Sequence, residues 1–473
     1  MKHAPIDGAA ARPPETRAGR HLAGWLDALN SGDLDTLRRF TEQAYAPNTL
    51  AMKHARVRSL RGARLFQASH GLDFAALESG DLGHVQMLLR SRVGADWWRV
   101  RVEVEPDSPH RIRELALYPV PEPRDGRSAL SLPEAAARLE AYLEELSAAG
   151  VFSGAALLAE DGVPVMQRAY GFASQGFGAP NRVDTKFNLG SMNKMFTAVA
   201  IAQLVGEGRL TFDTTVGEAV AGYPNREAAR AVTVHHLLSH TSGMGNFFTQ
   251  EFNSASRERF RTVRDLDPLY VDAPLRFPPG ERYHYSNAGF ALLGRIVEEA
   301  SGEDYFERVR RCIYEPAGMR NTDSYEMDVD TPNRAIGYTN LDFRLRYRPG
   351  PKRTNTFIHI VRGTPAGGGF STVGDMLRFH TALRAGSILA PELVEALWTP
   401  RVQADAESGV WHGYGAFLET VNGTRIAGHA GVFAGLNSQI DMYRDRGLTC
   451  VVMSNFDPPL ARRVCNRVRE WLT

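Results

Sequence analysis

From about residue 132 onward, strand-like runs collect at the two ends of the chain, and a helical, loop-rich stretch keeps them apart. After a helix expected at 133–149, GAALLAEDGVPVMQRAYG reads as a hairpin with Asp161-Gly162 at its turn. Near the other end, TRIAGHAG, GLNSQIDMY and GLTCVVMSNF read as strands, and PPLARRVCNRVREWL reads as a closing helix. The simplest architecture is one antiparallel sheet built from both chain ends, with residues 191 to about 400 inserted as a mostly helical region.

At 473 residues the chain is long for one domain. Ahead of the part just described, Leu22, Trp25, Leu26 and Leu29 share one helical face, and a second helix begins near Leu34. Three strand-like runs follow: HVQMLLRSR, WWRVRVEVE and RIRELALYPV. In the middle run Trp98, Val100, Val102 and Val104 alternate with Arg99, Arg101 and Glu103, so one face is apolar and the other wet. The domain layout expected is a disordered tail at 1–18, a small α+β domain at 19–122, a linker at 123–132 and a larger α/β domain at 133–473.

Composition excludes several classes. The net charge of +1 exerts no pull on nucleic acid, and no apolar run is long enough to span a membrane. The cysteines Cys312, Cys450 and Cys465 fit neither a disulfide framework nor a zinc knuckle. Cys450 sits in an apolar run and reads as a small core residue. The first residues lack the apolar core of a secretion signal, so the compartment is open; removal of a leader would leave an extracytoplasmic location available.

The chemistry starts at LGSMNKMF, residues 189–196. Lysine is rare in this chain: only Lys2, Lys53, Lys186, Lys194 and Lys352 occur, and Lys194 stands three residues after Ser191. At that spacing the two side chains share a helical face, and an apolar helix follows. Burial would drive Lys194 toward its neutral form, which can accept the serine proton. An S-x-x-K match in isolation is more often a helix cap with a surface lysine. Two further stretches change that balance. In PPGERYHYSNAGFALLGRIV, Tyr285 and Asn287 stand two apart on a loop before a helix; in GHAGV, small residues follow His429 on a strand.

In this order and at these separations, the motifs resemble the serine β-lactamase and penicillin-binding-protein superfamily, in particular its class C branch with DD-peptidases and family VIII esterases. The likeness extends to VTVHHLLSHTSGM, YEPAGMRNT and PAGGGFSTVGDMLRF and covers most of 132–473. It implies a β-lactamase/transpeptidase-like α/β (α+β) fold and a hydrolase needing no cofactor. Ser191 would be the acylated nucleophile, with Lys194 and Tyr285 sharing the base role. The N–H groups of Ser191 and Val432 would form the oxyanion hole, and Asn287, His429 and Gly431 would contact substrate. The 19–122 domain resembles the cone-shaped folds related to nuclear transport factor 2.

Where relatives of this branch carry Lys-Thr-Gly, this chain has His-Ala-Gly at 429–431. A histidine is neutral much of the time near pH 7. The reading favoured is therefore an uncharged small-molecule ester or amide substrate. Two alternatives stay open: a D-amino-acid peptidase or DD-carboxypeptidase with weak β-lactamase activity, and a non-catalytic ligand-binding or scaffold protein. The histidines of HHLLSH (His235, His236, His240) do not make a zinc-protease motif, since Leu237 stands where the glutamate is needed. No metal is expected. The oligomeric state is not legible.

Overall fold

The alternation at Trp98–Val104 forms the third strand of a four-stranded antiparallel sheet: Leu72–Gly80, His84–Ser91, Trp97–Val104 and Ile112–Val120, in that order. In this computed structural model, which describes residues 12–123, 129–342, 344, 346–406 and 408–473, Val100, Val102 and Val104 pack with Leu22, Trp25, Leu26 and Leu29 of the first helix. On the opposite face Arg99 makes a two-pronged ion pair with Glu78, at 2.6 and 2.7 Å. The strand Leu72–Gly80 was not expected. Its pairing register shifts twice, between Phe74 and Ala76 and between Leu77 and Ser79, which erases the two-residue period that marks a strand.

Residues 1–11 of the expected tail and 124–128 of the expected linker lie outside the described residues. Thr16 caps a helix at Arg17–Asn30, accepting from the Gly19 N–H at 3.1 Å, so ordered structure begins inside the span expected as tail. The chain divides into two compact units, described residues 12–123 with 141–151, and 129–140 with 152–473.

In the second unit the two chain ends meet in one antiparallel sheet. Its strand order is Val402–Asp405, Val410–His412, Phe417–Val421, Thr424–Phe433, Leu436–Tyr443, Leu448–Ser454, Gly154–Glu160 and Val163–Tyr170. The joint is the pairing of Leu448–Ser454 with Gly154–Glu160, running from Leu448 opposite Glu160 to Ser454 opposite Gly154. The hairpin turn is at Asp161-Gly162 as expected, both residues with positive φ (48° and 82°). The three short strands between 402 and 421 widen the sheet beyond the expected set.

The helix Asn193–Gly206 is buried on nearly every side, from Asn193 through Ala202 and at Leu204. A helix without a polar face belongs in an interior, and this one packs against the helix Asn287–Ser301. The closing helix Leu460–Leu472 is tied to the sheet by Arg469, whose guanidinium donates to both Asp441 oxygens at 2.6 and 2.8 Å and pairs with Glu419 at 2.9 Å. Removing one partner of such a pair leaves the other charge buried. Arg469→Met is therefore expected to destabilise the protein by about 3–5 kcal/mol, read as a lower urea midpoint. An unchanged midpoint would show that Asp441 gains no stability from this pair.

Candidate active site

Ser191 lies in a short turn of 3-10 helix, Gly190–Met192, that leads into the buried helix Asn193–Gly206. The hydroxyl is thus presented by the turn that precedes the helix. Gly190 has φ of +51°, and a Cβ there would stand 2.8 Å from Leu436 Cδ1 and 2.9 Å from Gly431 Cα. Both the backbone angle and the close approach require glycine. The turn is pinned by Leu189 N–H donating to Gly369 O at 2.7 Å, Gly368 N–H to Gly190 O at 3.1 Å and Gly190 N–H to Asn188 Oδ1 at 2.9 Å.

The strand Thr424–Phe433 lies directly against this turn. A Cβ on Gly431 would stand 2.0 Å from the Leu189 carbonyl oxygen, which already accepts from Ser438 Oγ at 2.8 Å. Gly431 is therefore the contact that seats the strand behind Ser191, while its neighbours Ala430 and Val432 border the cavity in front.

Lys194 is fully buried, and its Nζ lies 3.3 Å from Ser191 Oγ. Burial pushes the lysine well below its ordinary value of 10.5, toward the neutral amine. A neutral amine has two N–H groups and one lone pair. Asn287 Oδ1, at 2.7 Å, and the carbonyl of Ala366 accept the two N–H groups. The lone pair is left for the Ser191 hydroxyl, which is what a base for this serine requires.

Tyr285 and Asn287 are placed by the N-terminus of the helix Asn287–Ser301. Ser286 caps it, with Oγ accepting the Gly289 N–H at 2.9 Å and donating to Gly245 O at 2.7 Å. The Ser286 N–H donates to His240 Nδ1 at 3.1 Å. The Tyr285 ring centroid is 4.8 Å from Lys194 Nζ. Burial raises its phenol, against an opposing pull from Ser191, so the hydroxyl keeps its proton.

His429 Nδ1–H donates to the Ala430 carbonyl at 2.8 Å. With His240 and His412 it forms a buried group beside Tyr285. Ring centroids are 4.4 Å apart for His240 and Tyr285, 4.7 Å for His240 and His412, and 6.4 Å for Tyr285 and His429. Burial, reinforced by neighbouring basic groups, lowers all three histidines, His412 to about 3. His429 is therefore a neutral ring at pH 7. The histidines of HHLLSH go to separate partners: His235 to Tyr414 OH at 2.7 Å, His236 to the cap at Thr233, His240 to Ser286.

Ser191, Tyr285, Asn287, His429, Ala430 and Val432 border one cavity of about 370 Å³. Sequence reasoning missed the Ala366 carbonyl, which acts through backbone alone, the roles of His240 and His412, and Arg462, which also borders the cavity and makes no ion pair among the described residues.

A family model described as Beta-lactamase matches residues 139–472. The chain belongs to the beta-lactamase family. Among its relatives, penicillin-binding protein 4* of Bacillus subtilis (strain 168) is 28% identical, the match covering 67% of this chain and 71% of that one. Esterase EstB of Burkholderia gladioli is 30% identical over 64% of this chain and 86% of its own. The crystal structure of a penicillin-binding protein from Bacillus halodurans superimposes with a TM-score of 0.62 at 32% identity, covering 69% of this chain and 98% of that chain. The expected β-lactamase/transpeptidase-like fold is thus confirmed.

The seating of the Ser191 turn on the strand is testable. Gly431→Ala puts a methyl group against the Leu189 carbonyl and displaces Ser191. A misplacement of about 1 Å at a reacting centre costs about 10²-fold. The kcat/KM for a p-nitrophenyl ester should fall by about that factor; full activity would mean the strand does not position the serine.

Proposed function

We propose that this member of the beta-lactamase family is a serine hydrolase that cleaves an uncharged ester or amide through an acyl-enzyme on Ser191. One observation carries the reading: a fully buried Lys194, its ionisation lowered by that burial, with Nζ 3.3 Å from Ser191 Oγ and held by Asn287 Oδ1 and the Ala366 carbonyl. Lys194 takes the proton as Ser191 Oγ attacks the carbonyl carbon. The oxyanion is held by the N–H groups of Ser191 and Val432. Tyr285, protonated in the resting enzyme, hands its proton to the leaving group and is resupplied from Lys194. Water then attacks the acyl-enzyme with the same pair as base. Asn287 holds Lys194 and faces the substrate. The neutral His429 supplies no permanent cation for a substrate carboxylate, and the esterase among the relatives supports an ester substrate.

A second reading has its own observation. Arg462, exposed and without an ion-pair partner among the described residues, borders the cavity at His429. A free C-terminal carboxylate on a D-amino-acid peptide would meet it there, and a penicillin-binding protein among the relatives supports that class. The residues 12–123, which precede the family match, we propose to be a ligand-binding or contact module of the nuclear transport factor 2 type, on the architecture of their helices and sheet.

A fluorophosphonate probe should label Ser191 in the folded protein, and Ser191→Ala should abolish labelling. Absence of label on folded protein would defeat the hydrolase reading. Lys194→Ala should lower kcat by about 10²–10⁴-fold. In the wild type, kcat/KM for an uncharged ester should rise with pH through an acid limb as Lys194 loses its proton. Because burial lowers that pKa, the limb should lie well below 10.5; a limb at 10.5 would show that the resting lysine is charged. For the second reading, Arg462→Ala should selectively reduce cleavage of D-alanyl peptides with a free C-terminus relative to the amidated form. An equal effect on both would remove the arginine's assigned role.

A further inference from the structure

The cavity over Ser191 has two chemically different ends, and the strand Thr424–Phe433 runs from one to the other. At the His429 end the surroundings are polar. His429, Ala430, Phe417 and Arg462 also border a second cavity of about 150 Å³, whose walls include Tyr283 and Gln439. His429 Nε2 and Gln439 Oε1 are buried there without partners among the described residues. The Gln439 amide orientation is fixed, because its Nε2 donates to Asp441 at 2.7 Å.

At the Phe433 end the walls are apolar. Phe247, Phe248, Phe252 and Phe433 stand together with Ile358 and Ile360 on the cavity. Phe247 and Phe252 are buried and form a floor. Phe248, 43% exposed, stacks on Phe433 with centroids 6.0 Å apart and planes 19° apart, so the two make a wall open to the cavity. The box is braced from outside: the Arg257 guanidinium lies 4.2 Å from the Phe252 ring, and the His359 ring packs edge-on to Phe433 at 5.0 Å. His359 and Asn355 in turn hold the Ala434 carbonyl, each at 3.0 Å. A rigid aromatic slot that is not filled by the protein's own side chains is suited to a ligand's apolar group.

The proposed reaction sets the direction in which a substrate lies. The leaving group must be at Tyr285, which faces His429; the carbonyl oxygen must be at the Val432 N–H. Continuing along the strand in the same sense, the rest of the acyl group arrives at Phe433. Resting on the reading of Ser191 as the acylated nucleophile, we infer that the phenylalanine box is the acyl pocket, and that the enzyme selects esters or amides of bulky apolar acyl groups, arylacetyl or medium-chain alkanoyl, over acetyl.

The test is a series of p-nitrophenyl acetate, hexanoate and phenylacetate on the full chain. One well-packed methylene discriminates by between about 10- and 200-fold, so kcat/KM for hexanoate and phenylacetate should exceed that for acetate by at least about 50-fold. Phe248→Ala should reduce that ratio at least about ten-fold, and Phe248→Leu should restore part of it. Fluorophosphonate labelling of Ser191 in each variant separates the two claims. If wild type is not labelled, the hydrolase reading itself fails. If it is labelled but the three esters react equally, or the ratio in Phe248→Ala equals that of wild type, the acyl-pocket assignment is overturned and the hydrolase stands.

Discussion

The site depends on an amine that has been taken out of water. Lysine ordinarily keeps its proton near neutral pH; around Lys194 the interior removes the solvation that its charged form needs, which is the condition for the proposed role of base. Burial alone would leave a desolvated amine with unsatisfied N–H groups, which is itself unfavourable. Asn287 and the Ala366 carbonyl meet that need with two acceptors, and neither carries a full charge that would draw the proton back. A carboxylate in either place would have held the lysine as a cation. The identity of residue 287 as an amide is therefore as consequential as the lysine itself.

Glycine has a matching role in the backbone. Gly190 and Gly431 meet across the seam between the Ser191 turn and the strand Thr424–Phe433, where any side chain would collide with main-chain atoms. The seam joins parts of the chain remote in sequence, and the Leu189 carbonyl and Ser438 hydroxyl close it. Ser191 is thus seated largely by main-chain contact between two elements, while side chains close the seam and hold Lys194.

Much of this was legible beforehand because it is local. The Asp161-Gly162 turn, the serine and lysine three residues apart, and the strand runs at both ends each show within a few residues. What escaped notice is either irregular or assembled from afar. Leu72–Gly80 loses its alternation through two register shifts. The strands Val402–Asp405, Val410–His412 and Phe417–Val421 are too short to display a period. His412 comes to the site from one of them, and the Ala366 carbonyl leaves no trace in side-chain chemistry. Arg462 was one arginine among many until the closing helix brought it to the rim.

The joint between Gly154–Glu160 and Leu448–Ser454 bears on how the protein is made. During synthesis the hairpin emerges with one edge unsatisfied, and the strand that completes it follows only after the whole stretch between Glu160 and Leu448. The Ser191 turn likewise waits for its backing strand, Thr424–Phe433. Until that strand is made the polypeptide carries an open, apolar sheet edge, the condition under which chaperone protection is most needed. With Ser191 in its proposed role, a product that stopped short of the strand Thr424–Phe433 would lack the backing of that turn and would be inert.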